Sequence, residues 1–513
     1  MQMELLKKPI RSYRTIDIRE NEEMLENSII VPDSKPDVAN ILMADAESFV
    51  TNVEKSGRMI EVSGEIRYRI LYCADTPDHR IECITARYPW SFSHQRPNRE
   101  GDIGVFPKCR CQHTEANAVN GRKIVARTVT SLICRFYEIK SDEVGREILG
   151  ENVFLKTSPI NVVTLKDNSD INAKVSNTLS LPNGSPAIKE VLFSRVNLSH
   201  ADVSYKDDEP HMEAKGTLNL LYRSDTMDET IESVVLEFPV KAPIGINAGA
   251  DNIIFVNNAL KAWDIEVLED NDGLNTQIAV NMEVEIEAQA LANEEQTIIE
   301  DAYAIDSVMM LNKSNFSLVT DEREFSEPLE INQKLHLDLN EARLDEVLMV
   351  CANERNISAK ANERNVNAQG TIGVDVVYVD NNKEVRSQSV ELPFTQAFIL
   401  PDNARWETVN TGFSIEDVNF DIISNEAIEV GIKLRVKLRA AKYEDLECAD
   451  GLNVSKEEVT EKAPIILYFT QPNDTLWSIA KQYRIPPSKL AVDNGLEANA
   501  RPETGKRLFI MKS

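Results

Sequence analysis

Apolar and polar residues alternate near the ends of three long segments of the chain, strictly in two of them. Val430, Ile432, Leu434, Val436 and Leu438 alternate with Gly431, Lys433, Arg435, Lys437 and Arg439. Val280, Met282, Val284 and Ile286 alternate with Asn281, Glu283, Glu285 and Glu287. Ile124 to Phe136 is strand-like with a less regular pattern. A period of two puts one set of side chains on a buried face and the other in water, so each stretch predicts a long β-strand. The row Lys433, Arg435, Lys437, Arg439 and the row Glu283, Glu285, Glu287 each share one face. They read either as solvated faces or as complementary docking surfaces.

The strands belong to a repeat. Met59 to Tyr72, Met212 to Tyr222 and Val366 to Tyr378 each carry a glycine (Gly64, Gly216, Gly370), alternating apolar residues and a closing tyrosine. The glycines stand 152 and 154 residues apart, a period that fits whole domains rather than solenoid units. Ile41-Leu42, Val191-Leu192 and Val347-Leu348 precede them, and Tyr88-Pro89-Trp90, Phe238-Pro239-Val240 and Leu392-Pro393-Phe394 follow them, in step. The segments opening at Pro36-Asp37-Val38, Pro186-Ala187-Ile188 and Ala342-Arg343-Leu344 have apolar spacing that predicts short helices. Asn168 to Asn177 and the acidic stretch Tyr443 to Lys462 read as solvated connectors. Val153-Phe154-Leu155 and Val308 to Leu311 are too apolar for linkers and predict packing on a neighbour.

The last fifty residues change character. Ile466 to Phe469 predicts a strand, and Asp474 is placed to cap a helix with the apolar face Leu476, Ile479, Ala480 and Tyr483. Pro486-Pro487 opens a second helix containing Leu490 and Val492, Gly495 ends it, and Lys506 to Ile510 predicts a second strand. The expected architecture is therefore mainly β: three repeated sandwich- or barrel-like domains, then a small β-α-α-β domain. The boundaries expected are 1–150, 151–300 and 301–445 for the repeats, 446–464 for a linker and 465–513 for the terminal module.

Composition narrows the function. At 513 residues the chain exceeds a single core, and 42% hydrophobic with 27% charged residues is ordinary for a globular protein. A formal net charge of -28 repels phosphate backbones and argues against nucleic acid as partner. Residues 465–513 hold seven Lys/Arg against four Asp/Glu, giving +3, so the rest carries -31. That contrast reads as an acidic partner for the module or as a chance surplus. Lys7, Lys8, Arg11 and Arg14 are not followed by a signal-peptide core, and no run approaches the length of a membrane span. With an odd count of seven cysteines, the expectation is reduced thiols inside the cell.

The terminal module resembles the LysM domain in order, length and its Asp474-Thr475-Leu476-Trp477-x-Ile479-Ala480 core. The resemblance implies binding of N-acetylglucosamine-containing glycans, or of a partner, in a groove formed by Asn473, Asp474, Thr475 and Leu476 with Asn494, Gly495 and Leu496 opposite. Trp477 reads either as core or as part of that contact. Asn473 stands where the family usually has glycine, and its side chain protrudes where a sugar would approach. Asn tolerates the left-handed turn required there. With three repeats ahead of one LysM, the whole chain resembles the SipL family of spore-coat morphogenetic proteins, and the repeats look like SPOCS domains. The resemblance implies a scaffold on the mother-cell side of the forespore. There it would tether the coat by binding SpoIVA, the basement-layer ATPase, with other coat proteins as further partners. The alternative is LysM-mediated binding of peptidoglycan or a lipid-linked wall precursor.

Nothing in the sequence predicts an enzyme or a cofactor. No G-x-x-x-x-G-K-[ST], H-E-x-x-H or G-x-S-x-G motif occurs. Cys109, Cys111 and His113, with His94, Cys73, Cys83 and Cys134 in the same repeat, could in principle hold Zn²⁺. They lack C-x-x-C pairs and counterparts in the other repeats, and read better as structural thiols.

Overall fold

The computed structural model describes residues 3–99, 103–249, 251–339, 341–362, 364–455, 465–497 and 500–511. The first unit consists of β1 (Glu4–Ile30), β2 (Val38–Ser56), β3 (Met59–Ala74), β4 (Ile81–Gln95), β5 (Ile103–Asn120) and β6 (Lys123–Leu149). Its two antiparallel sheets, β1-β6-β5 and β2-β3-β4, face each other across one core containing Ile60, Tyr68, Ile124 and Phe136. The second unit has β7 (Val153–Ser180), β8 (Ile188–Leu198), β9 (Asp202–Lys206), β10 (Glu209–Ser224), β11 (Ile231–Pro243), β12 (Ile253–Leu268) and β13 (Gln277–Ala304). Its sheets are β7-β13-β12 and β8-β10-β11, with β9 added on β10. The third has β14 (Val308–His336), β15 (Leu344–Asn362), β16 (Asn365–Asp380), β17 (Val385–Ile399), β18 (Arg405–Ser424) and β19 (Ala427–Ser455), paired as β14-β19-β18 and β15-β16-β17. Three sandwiches of the same topology thus follow one another, and none closes into a barrel. The module at the end is β20 (Ile465–Phe469), α1 (Leu476–Tyr483), α2 (Pro487–Asp493) and β21 (Arg507–Met511).

The repeat signature has a steric cause. Gly64, Gly216 and Gly370 sit on the middle strand of each smaller sheet, directly opposite Trp90, Phe238 and Phe394. A Cβ on these glycines would lie 2.3, 2.3 and 2.5 Å from atoms of those rings. The aromatic ring covers the glycine, so the space a side chain would fill is already taken. The conserved pairing partner is therefore the aromatic residue. The neighbouring prolines fall out of register: Pro89 and Pro393 face the residue after the glycine, and Pro239 the residue before it. The closing tyrosines Tyr72, Tyr222 and Tyr378 are buried. Their hydroxyls donate to Pro36 O at 2.9 Å, Pro186 O at 3.1 Å and Asp338 O at 2.8 Å, tying the strand end to the loop before the first strand of the sheet.

The three short helices expected after Pro36, Pro186 and Ala342 are instead the starts of β2, β8 and β15. Each start carries two bulges: Val38/Asn40 and Ile41/Met43, Ile188/Glu190 and Val191/Phe193, Leu344/Glu346 and Val347/Met349. Each bulge inserts one residue and resets the alternation. Two bulges three residues apart therefore give apolar positions the spacing of a helix. The two expected connectors are also strand. Asn168 to Asn177 lies within β7, where Ile171, Ala173 and Val175 pack on the core. Tyr443 to Ser455 completes β19, with Cys448 and Ala449 buried; the remainder of that stretch and of the expected linker, 456–464, lies outside the described residues. The expected boundary at 300/301 falls inside β13.

The units form a ring of three. β1 packs beside β7, β13 beside β14 and β19 beside β6. Corresponding residues meet on the axis: Leu42, Leu192 and Leu348 with Leu71, Leu221 and Val377 in one cluster, and Ile10, Val144, Val162, Ile298, Leu318 and Cys448 in another. The long strand pairs β1–β6, β7–β13 and β14–β19 thus meet in a shared apolar column, the second of these clusters. Between these clusters lies a polar layer. Arg135, Glu287 and Arg439 occupy equivalent places on β6, β13 and β19, each 152 residues apart. Arg135 pairs with Glu287 and donates to the Tyr13 hydroxyl at 2.8 Å, which donates on to Glu287 at 2.7 Å. Arg439 donates to Glu322 and to Gln289, both at 2.6 Å.

Candidate partner-binding module

The terminal module is folded by its own small core. Leu476, Ile479 and Ala480 of α1, Leu490 and Ala491 of α2, and Leu508 and Ile510 of β21 are buried together. α1 is capped by Thr475, whose hydroxyl accepts from Ser478 N at 3.0 Å while Ser478 Oγ accepts from Thr475 N at 2.9 Å. Asp474, expected to be the cap, has another task. Its carboxylate takes Tyr468 OH and Gln471 N, both at 2.7 Å, and so closes the strand–helix loop. The bond from Asp474 and burial hold the Tyr468 phenol up at about 12. Asn473 adopts φ 71°, the left-handed turn expected of it, and Gly495, just past α2, has φ 62°. Val492, expected within the second helix, lies on its exposed side.

The groove residues inferred from the sequence divide by role. Leu476 is core. Asn494 is pinned between helix and strand: its amide nitrogen donates to Leu490 O at 2.9 Å and Phe509 O at 2.7 Å, and its oxygen accepts from Phe509 N at 2.6 Å. Leu496 packs partly buried against the core. Asn473 and Gly495 are exposed at the two loops.

Trp477 packs, partly buried, against the module's core. It stands half-buried between the module and the second sandwich. Its indole nitrogen donates to Asp301 at 2.8 Å, and its ring meets Tyr303 edge-on at 5.1 Å between centroids. Lys481, one turn later on α1, reaches the same carboxylate at 2.5 Å. Tyr303 OH donates to Ile485 O at 2.7 Å, and Phe154 stacks behind Tyr303 at 5.4 Å. Burial pushes the Asp301 carboxyl upward, but the bonds from Lys481 and Trp477 outweigh it and hold the group below its ordinary range. The apolar Val153-Phe154-Leu155 segment is thereby accounted for: Phe154 packs on the module, and Val153 and Leu155 pack against Ile148, Ile299, Ala302 and Ala449 of the long strands.

A second surface was missed by sequence reading. β20 and β21 pair with Ile465 opposite Met511 and Leu467 opposite Phe509. Their inner residues, Ile466, Tyr468, Leu508 and Ile510, pack under the helices. Their outer ones, Ile465, Leu467, Phe469, Phe509 and Met511, remain 38% to 62% exposed in the full chain. The signal was present as apolar residues at every position of Ile465 to Phe469, a strand with no polar face.

These features agree with what known families contain. A family model described as LysM domain matches residues 468–510, from within β20 to within β21. One described as SipL, SPOCS domain matches residues 343–423, which are β15 to β18 of the third sandwich. The chain carries a SipL-type SPOCS domain and a LysM domain. No curated protein and no solved structure matches it. The SPOCS match covers the small sheet and the strand β18 that crosses to the larger one, the part that holds the Gly370–Phe394 pair. SPOCS and LysM are binding domains, not catalytic ones.

The thiol cluster is dispersed through the first sandwich. Cys111 and Cys134 lie buried in its core, while Ser48 Oγ donates to Cys109 Sγ at 3.0 Å. Burial pushes the Cys109 thiol up to about 11 and Cys134 up to about 12. Among the described residues no three metal-ligating side chains converge, and no helix is long and apolar enough to cross a membrane.

Proposed function

We propose that this chain is a non-catalytic scaffold of spore-coat assembly. It tethers the coat to the forespore surface, on the mother-cell side, by holding a SpoIVA-type basement-layer ATPase through its LysM domain. The SipL-type SPOCS domain supports the coat role. The observation that carries the partner contact is the outward strip Ile465, Leu467, Phe469, Phe509 and Met511 on the LysM sheet. Contiguous exposed apolar side chains on a small domain favour a protein partner over a sugar, whose hydroxyls require hydrogen-bonding groups. The module's +3 charge adds attraction for an acidic partner. The second sandwich holds the module through Asp301 and Tyr303, which lets the body present it.

The test is a double replacement, Leu467→Arg with Phe509→Arg, in the full chain. Both side chains point outward, so the module keeps its far-ultraviolet spectrum. Capture of SpoIVA from sporulating cells falls at least tenfold. Undiminished capture would reject the strip as the contact.

A further inference from the structure

The ring of sandwiches encloses a cleft of about 200 Å³ on its axis, lined from all three units. Four cations reach it. Two are matched: Arg195 by Asp45, and Lys261 by Glu285 at 3.4 Å. The other two, Lys108 and Arg110 on β5, share a single carboxylate, Glu354 of the third unit, at 3.9 and 3.5 Å. These are loose contacts, well beyond the 2.7–2.9 Å of a charge-assisted hydrogen bond. The Arg110 side chain is only 7% exposed, and its Nε and Nη1 have no hydrogen-bond partner. A buried guanidinium in this state is under-compensated.

The surroundings register the surplus of positive charge. Burial first, and then the charges of Lys108, Lys437 and Arg110, depress the nearby His200 imidazole to about 3, so that it stays neutral. Burial and the Arg110 charge likewise draw the Lys108 ammonium downward, although its side chain keeps 39% of its surface in solvent, which tempers the shift. Lys108 has no charged counterpart in the other units. Ala259 and Gly412 occupy the strand positions that correspond to Lys108, each opposite the residue of the long strand matching Ile133.

We propose that this cleft between the three sandwiches binds a small oxyanion of the phosphate class, held by Lys108 and Arg110 of β5. A tetrahedral oxyanion carrying one negative charge supplies the missing countercharge, accepts from the Lys108 ammonium and leaves Glu354 as a rim carboxylate facing Arg110 and Lys108. The cleft is smaller than the roughly 300–1,000 Å³ of pockets that enclose drug-sized ligands, which favours the ion itself over a phosphorylated metabolite. Binding in a cleft walled by three units also predicts that the anion stabilises the full chain by mass action.

The experiment is calorimetric titration of the full chain with inorganic phosphate at constant ionic strength, with phenyl phosphate in a parallel arm. The expected result is saturable binding at one site per chain, weakened at least tenfold by Lys108→Gln and by Arg110→Gln. Binding of inorganic phosphate alone assigns an enclosed ion; binding of both assigns a phosphoryl group on a larger molecule. Lys108 is partly exposed, so its replacement keeps the fold even where that of Arg110 does not, and it decides the matter alone. Absence of saturable phosphate binding, or equal affinity in wild type and Lys108→Gln, would overturn the proposal.

Discussion

The indole nitrogen of Trp477 lies 2.8 Å from the carboxylate of Asp301, and this bond joins the LysM domain to the second sandwich. The same carboxylate takes Lys481 at 2.5 Å. Hydrogen bonds to charged groups contribute about 1.5–3 kcal/mol each. Asp301→Ala therefore loosens the module without unfolding the sandwiches. Small-angle scattering should show a larger radius of gyration, and protease should release the module faster. Identical dimensions and cutting rates in the two proteins would mean that the seat is held by other contacts.

Two replacements in α1 should separate docking from folding. Ile479 is fully buried in the module, and truncating it to Ala costs about 2–5 kcal/mol, more than so small a core sustains. Trp477→Ala removes a half-buried ring from the junction and leaves the module folded but undocked. Amide exchange in the full chain distinguishes them: protection in α2 and β21 disappears in the first and persists in the second. Loss of protection in both would make Trp477 a core residue.

Much of this architecture is legible in the sequence, for a physical reason. The glycine–aromatic pairs and the closing tyrosines serve packing needs that recur in every unit, so they recur in the chain. Strand starts were legible only as apolar spacing, and the paired bulges at Val38/Asn40 and Ile41/Met43 gave that spacing a helical period. The polar stretch around Asn172 hid a strand, because its core-facing residues Ile171, Ala173 and Val175 are few and only partly buried. The LysM fold was readable from local signals: a left-handed Asn473, a proline-led helix, a terminal glycine. Its seat on Asp301 and Tyr303 was not, because contacts across about 180 positions leave no local pattern. The row of four cations on β19 was likewise undecidable by pattern. Arg439 turns out to be buried against Glu322 and Gln289, and Lys437 donates to Ala201 O at 2.9 Å across the unit boundary, whereas Lys433 stays at the surface near Asp417.

Gly370→Ala places a methyl group against the Phe394 ring, where the ideal Cβ falls 2.5 Å from it. Overpacking of this kind costs about 1–3 kcal/mol. The melting temperature should drop, and Phe394→Leu in the same protein should recover part of the loss. Additive losses in the double variant would show that the ring does not cover the glycine.

Acid should open the ring through Glu287. Burial raises its pKa, but the Arg135 charge and the bonds from Tyr13 and Asn257 outweigh that and hold it below the ordinary glutamate range. A depressed carboxyl contributes stability that is complete above its unfolded value, about 4.3, and is lost as pH falls through the lower folded value. Glu287→Gln leaves Arg135 buried without its counter-ion and should cost about 3–5 kcal/mol at neutral pH. The gap between wild type and variant should shrink as pH falls below about 4. A gap independent of pH would exclude Glu287 as the titrating group.

The central claim is that the LysM domain holds the coat partner and the three sandwiches present it. The most direct measurement is capture of SpoIVA from sporulating cells by the full chain and by a chain lacking residues 465–513. Circular dichroism should confirm that the β signal of the truncated chain is retained. The account predicts that truncation abolishes capture; undiminished capture by the truncated chain would contradict it.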